Sequence, residues 1–319
     1  MTTTGVVLMT YGSAQTGDEV PAYLASVRGG RPAPDDLVAE FRRRYELIGF
    51  SPLVRITQAQ GQALQELLDA RVGRGSHRVE VGMLHSEPSI EAAVRRLAAA
   101  RVDRLVGLVL SPQWSPIIMG GYIRALDAAA GAHLPGVPRR LAGPWHELPE
   151  FIDALSARVE EALARFTPEQ RATLAIMLTA HSLPEAVVRR EPVYLEQIMA
   201  TVRAVATRAG LRDGEWEFAY QSAGHSPEPW LTPDLKDLLP GHRAAGKTDV
   251  LVVPVQFLAD HLEILYDIDV AAREEAESEG LRFNRIDLMN TAPAFIDALA
   301  KVVAREENLL AGQEVAVTS

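Results

Sequence analysis

The sequence predicts an α/β protein of two related domains, each a parallel sheet flanked by helices. Three observations point there. Short apolar runs of strand length alternate with segments of helical period, which is the pattern of βαβ units. The order of these runs in the first half returns in the second half. The segment Pro149-Glu150-Phe151-Ile152-Asp153-Ala154-Leu155 is nearly copied as Pro293-Ala294-Phe295-Ile296-Asp297-Ala298-Leu299, at the matching place in that order. Crossovers between parallel strands are right-handed, so each half forms its own sheet. The domains are read as 1–150 and 151–319, with the long helices after Phe151 and Phe295 as crossovers that blur the boundary.

Taken in order, residues 6–9 form a short strand ending at Thr10-Tyr11-Gly12-Ser13. A helix over 20–27 stops at the breaker Arg28-Gly29-Gly30-Arg31-Pro32, and a second spans 35–47. Gly49-Phe50-Ser51-Pro52 interrupts before a helix over 56–71 with Leu64, Leu67 and Leu68 on one side. Strand two, 79–84, ends at His85-Ser86-Glu87-Pro88; strand three, 105–110, ends at Ser111-Pro112-Gln113-Trp114. A helix containing Tyr122 follows, then a short strand near 139–142. In the second half 174–178, 216–220 and 250–255 take the places of the first three strands. Residues 310–319 have little periodicity and are read as a frayed tail.

Composition narrows the function classes. The 319 residues are 47% hydrophobic and 23% charged, so each half can bury a core of its own. A net charge of -10 argues against nucleic acid as a partner. No apolar run reaches the roughly eighteen residues of a membrane span, and Met1-Thr2-Thr3-Thr4 lacks a basic leader. The chain is read as cytoplasmic. With no cysteine there is no thiol nucleophile and no Cys-ligated iron–sulfur cluster. No dinucleotide fingerprint, P-loop or nucleophile elbow is present.

The chemistry gathers at strand ends, where open α/β sheets collect functional groups. His181 closes the strand 174–178 in Thr179-Ala180-His181-Ser182-Leu183-Pro184, and Tyr11 holds the equivalent place in the first half. An imidazole there can act as base or as ligand to ferrous iron or zinc. After 250–255 comes Gln256-Phe257-Leu258-Ala259-Asp260-His261-Leu262-Glu263, with Asp260 read as the cap of a helix. Glu263, Asp267 and Glu274 then share one α-helical face, a row of carboxylates able to pass on a divalent cation. Strands one and three of a βαβ unit are close, so His181 and Glu263 are expected to converge in a cleft between the domains. Among the basic residues, Arg42 and Arg43 read as a face paired with Glu40 and Glu46. Arg28 and Arg44 sit at loop edges, where they suit an anionic substrate.

These residues resemble the ferrochelatases, most closely the soluble bacterial coproporphyrin type, from Val6 to about Val303. The likeness rests on Leu8-Met9-Thr10-Tyr11-Gly12-Ser13, Arg44-Tyr45, Ile48-Gly49, Ser51-Pro52-Leu53, Thr179 to Pro184, Tyr220-Gln221-Ser222, Pro229-Trp230-Leu231, Val253-Pro254-Val255, Asp260-His261-Leu262-Glu263 and Leu265-Tyr266-Asp267. The resemblance implies two Rossmann-like, chelatase-type domains and the insertion of ferrous iron into a porphyrin, coproporphyrin III, in haem biosynthesis. It implies His181 and Glu263 at the insertion centre, Tyr11 as axial ligand to product iron, and Asp267 in iron delivery. Arg28, Arg44, Tyr45, Ser51 and Tyr122 fall where the family contacts porphyrin, and His85 lines the same cleft. Iron is substrate, with no tightly bound cofactor, no iron–sulfur cluster and a monomeric chain that hands haem to a pathway protein. Protoporphyrin IX, another tetrapyrrole, or a non-catalytic haem carrier are the alternatives. Two departures stand out: Arg190-Glu191-Pro192 replaces the family's usual Gly followed by Asp or Pro, and Ala271 stands where a third acid is common.

Overall fold

The computed structural model describes residues 2–224 and 227–318. The chain forms two compact units, Met1–Trp145 with Asn290–Ser319, and His146–Met289. The division is therefore not a single cut at 150, because the last helix belongs to the first unit.

In the first unit, β1 (Thr4–Thr10), β2 (His77–Met83), β3 (Arg104–Val109) and β4 (Arg139–Leu141) lie in the order β2-β1-β3-β4. All pairs are parallel, with Val6 opposite Val79 on one side and Val106 on the other. Every residue of β1 is buried, as a strand covered on both faces must be. Val7 and Met9 pack with the helices Ile90–Ala99 and Pro116–His133. The helix Leu53–Val72 packs against β2 and against Pro293–Thr318, which also contacts β3 and β4. That C-terminal helix continues to Thr318, so residues 310–318 are helical backbone rather than a frayed tail; Ser319 lies outside the described residues.

The second unit repeats the plan. The strands β5 (Leu174–His181), β6 (Trp216–Gln221), β7 (Asp249–Pro254) and β8 (Arg282–Arg285) take the order β6-β5-β7-β8, again parallel. Ala175 and Met177 pack with Leu235 and Leu239 from one helix and Ile264, Ile268 and Ala272 from another. That second helix, Glu263–Ala272, is a π-helix and gives way to the α-helix Arg273–Ser278. It begins at Glu263, with no side-chain cap. Asp260, expected to be the cap, instead faces Arg285 at 3.3 Å, because that guanidinium competes for its carboxylate. The shared strand order matches the sequence repeat: β1 and β5 are both inner strands, with Tyr11 just past the end of one and His181 closing the other.

Candidate active site

In the second unit three side chains meet beyond the ends of β5 and β7. His181 is the last residue of β5. Its Nδ1 hydrogen-bonds the Ser182 carbonyl, and a carbonyl only accepts, so Nδ1 carries the proton. Nε2 is thereby turned toward Glu263, 3.6 Å from Oε2. His261 repeats the arrangement, with Nδ1–H donating to the Ala259 carbonyl at 2.9 Å and Nε2 lying 3.6 Å from the same Oε2. Both separations exceed hydrogen-bond length, yet they are short enough for strong charge coupling. Burial works against ionisation of Glu263, but the two imidazoles outweigh it and hold the carboxyl at about 2. Burial likewise opposes charge on His261, and the Glu263 carboxylate outweighs it, raising the imidazole above its ordinary value. Phe257 closes one side, its ring centre 4.8 Å from that of His261 and 6.4 Å from that of His181. The result is a lasting anion flanked by two imidazoles, a set that can hold a proton or meet a cation. Among the described residues no three His, Asp or Glu side chains form a closed metal-binding group.

The carboxylate row departs from the α-helical expectation. A π-helix winds roughly 4.4 residues per turn against 3.6, so a step of four falls only about 30° short of a full turn. Glu263, Asp267 and Ala271 thus stay in one drifting row, beside the buried stripe Ile264, Ile268 and Ala272. Glu274 does not. Counted through the π-turns it points to the far side of the helix from Glu263, and its side chain is exposed.

In the first unit Tyr11 is 42% exposed and stands edge-on to His85, ring centres 4.4 Å apart. Past the strand ends the His85 N–H donates to the Tyr11 carbonyl at 2.9 Å, which holds the two backbones side by side. His85 Nδ1 lies 3.0 Å from the Ser26 hydroxyl, and burial pushes its imidazole below the ordinary value. Gly12, at φ 90°, lets the backbone turn against Ser86, whose hydroxyl accepts from Ser13 N–H at 3.1 Å. Tyr122 is buried on its helix, and burial first, then nearby Tyr11, pushes its phenol well above the ordinary value.

The remaining porphyrin-contact candidates divide. Tyr45 is fully buried, its hydroxyl 2.8 Å from that of Ser13 and its ring stacked on Phe50. It supports the Ser13 turn from beneath and presents no surface to a ligand. Ser51 is also buried, and its hydroxyl accepts from Leu53 N–H at 3.3 Å at the start of a helix. Arg44 shares Glu40 with Arg43, at 2.8 and 3.0 Å, and those bonds hold the Glu40 carboxyl at about 2, though Arg44 is the more buried of the two. Arg42 donates to the Gly17 carbonyl. Arg28 ends its helix exposed, and no carboxylate pairs with it among the described residues. Two residues of the second-unit site were not singled out by sequence reasoning. His261 is two positions before Glu263, a separation that reads as loop. Gln256 has no chemistry of its own, and its role appears only in three dimensions.

A family model described as ferrochelatase matches residues 3–307. The chain belongs to the ferrochelatase family. A ferrochelatase of Herpetosiphon aurantiacus is 37% identical over 301 residues, covering 94% of this chain and 98% of the relative. A coproporphyrin III ferrochelatase of Geobacillus sp. is 34% identical over 314 residues, covering 96% and 98%. Among solved structures, SirB of Bacillus subtilis with Fe3+ aligns at a TM-score of 0.55 and 12% identity, covering 95% of each chain. That likeness concerns the fold, two chelatase-type units with parallel sheets. Ferrochelatase membership makes iron and porphyrin the substrates and haem biosynthesis the setting. No described helix of this ferrochelatase is long and apolar enough to cross a membrane.

Proposed function

We propose that this ferrochelatase inserts ferrous iron into coproporphyrin III, with His181 accepting pyrrole protons or transiently ligating the iron. Glu263 assists by ligation and charge balance, Asp267 delivers iron along the π-helix, and Tyr11 ligates the product iron. The reading is carried by one arrangement: the Nε2 atoms of His181 and His261 both turned on a single ionised carboxylate. Insertion must take protons from the macrocycle while the cation sheds water, and this cluster sets an imidazole that can take a proton beside a carboxylate that can meet the cation. General-base help of this kind typically gives about 10²–10⁴-fold, with distortion and positioning supplying more.

The preference for coproporphyrin rests on charge. Coproporphyrin III bears four propionates and protoporphyrin IX two. Arg28 is exposed with no carboxylate partner among the described residues, and Arg31 binds only the Arg28 carbonyl there, so both cations are open to propionates. A charge-assisted hydrogen bond is worth about 1.5–3 kcal/mol, and less where exposed. Two additional propionates therefore shift preference by about tenfold or more. Competing the two porphyrins for limiting enzyme and ferrous iron without oxygen, followed by absorbance, tests this. Coproporphyrin should show the higher kcat/KM, and Arg28→Ala should narrow the gap more than Arg43→Ala. Equal or reversed values would leave a ferrochelatase of protoporphyrin type. Haem binding with no insertion into either porphyrin would make the chain a carrier.

A further inference from the structure

We propose that Gln256 is a positioning residue for iron insertion, holding His181 in place through a side-chain bridge anchored on Tyr194. The proposal rests on the reading of His181 as the residue that meets the pyrrole proton or the iron. It starts from an interruption in a hydrogen-bond ladder. On the β7 side of β5, Val255 N–H donates to the Thr179 carbonyl at 2.9 Å. In a parallel ladder the next β5 donor on that side is the N–H of His181, and its regular acceptor is a carbonyl further along the partner strand. But β7 ends at Pro254 and the chain bends at 255–256. The N–H of His181 donates instead to Oε1 of Gln256, at 3.0 Å. A side chain completes the ladder one step past the point where the backbone leaves it.

That bond settles the orientation of the amide, because only its oxygen can accept from an N–H. Nε2 must then donate, and its acceptor is the hydroxyl of Tyr194. Tyr194 is 3% exposed in the helix Pro192–Arg208, so the bridge ends on a buried anchor. On its other edge the same stretch is held by Ser182 N–H to the Gln221 carbonyl at 2.8 Å and by the Ser182 hydroxyl to the Leu231 carbonyl at 2.9 Å. Gln256 also lies seven residues before Glu263 in the loop leaving β7. It therefore ties the loop that carries His261 and leads into Glu263 directly to the strand end carrying His181, and so sets the 3.6 Å approach of Nε2 to the carboxylate. Losing an ångström of such placement can cost about a hundredfold in rate.

Four variants and two readouts test this. Gln256→Leu removes the acceptor and the donor together. Gln256→Glu keeps the acceptor for His181, and the Tyr194 hydroxyl can donate to it. Tyr194→Phe removes only the anchor, and the double variant Gln256→Leu/Tyr194→Phe closes a cycle. Gln256→Leu should lower kcat for iron insertion about tenfold to a hundredfold, with porphyrin KM within twofold, and should speed exchange of the His181 amide hydrogen at least tenfold. Gln256→Glu should restore most of both. Tyr194→Phe should cost a few-fold alone and nothing further in the Gln256→Leu background, since it acts only through the amide. Should Gln256→Leu fail to fold, Tyr194→Phe and Gln256→Glu still read the bridge through kcat and amide exchange. Insertion lost in His181→Ala but retained in Gln256→Leu would overturn the positioning role alone. Additive losses in the cycle, or an unrescued Gln256→Glu, would do the same. Turnover retained in His181→Ala would overturn the role of His181 itself, and this proposal with it.

Discussion

Glu263 is the residue on which the second-unit site balances. Half-buried, it still carries its charge to about pH 2, because two imidazoles face it. Replacing it by Gln removes that anion without changing its size. Glu263→Gln should lower insertion by about a hundredfold or more, the scale set for acid–base partners, and leave porphyrin affinity near wild type. His181→Ala should abolish insertion and also retain porphyrin binding, measured by fluorescence quenching. A folded His181→Ala enzyme with near wild-type turnover would falsify the role given to the imidazole. His181 could be read from the sequence because it closes an apolar strand, and Glu263 because it heads a row of carboxylates at helical spacing. His261 could not, since its alignment on Glu263 depends on Nδ1 bonding the Ala259 carbonyl, a local turn that no side-chain period announces. Gln256 was beyond reach for a similar reason. Its partner His181 is 75 positions away, and the bond exists only because β7 stops at Pro254.

At the scale of elements, strands and most helices followed from period and breakers, but the winding of Glu263–Ala272 did not. A four-residue spacing of apolar positions suits an α-helix and a π-helix almost equally over two turns. The difference accumulates only with length, which is why Asp267 keeps its place in the row and Glu274 leaves it. This separates two substitutions that an α-helical reading treats alike. Asp267→Asn should raise the KM for ferrous iron several-fold with little change in porphyrin KM, whereas Glu274→Gln should leave both unchanged. Ala271→Glu, which adds a carboxylate to the π-row, should lower the iron KM. Steady-state rates against iron concentration under anaerobic conditions decide it. Equal effects of Asp267→Asn and Glu274→Gln, or none from either, would return the row to a solvated helix face with no part in delivery.

At the scale of the whole chain, the repeat revealed two units but not that the first is built from both ends of the sequence. The copied Phe-Ile-Asp-Ala-Leu segments look alike as sequence, and nothing in either names the sheet that its helix covers. The decision rests on distant polar partners. Glu306, 1% exposed, takes Arg140 of β4 at 2.8 Å and Arg305 at 3.0 Å, and Arg305 also reaches the carbonyls of Gly143 and Pro144. The next residue, Glu307, accepts from the Thr4 hydroxyl at 2.5 Å and faces His77 Nε2 at 3.1 Å. Burial opposes the charge on Glu307, but the His77 and Thr4 bonds outweigh it and lower its pKa. A carboxyl lowered on folding stabilises the fold above its unfolded pKa, near 4.5, and loses that contribution as pH falls through the lower folded value. Glu307→Gln should therefore lower stability at neutral pH and flatten its fall as pH drops below about 4.5. Glu306→Gln is the sharper test, because it leaves Arg140 and Arg305 facing a neutral amide in a buried place. Removing one partner of a fully buried pair costs about 3–5 kcal/mol, and the partial exposure of both arginines brings this to about 2–3 kcal/mol. The loss should be confined to the unit that the last helix closes. Amide exchange in β3 should quicken by about thirtyfold or more, while β5 and β7 exchange as before. Equal acceleration in both sheets would mean that the helix Pro293–Thr318 stabilises the chain as one cooperative body rather than completing the first unit.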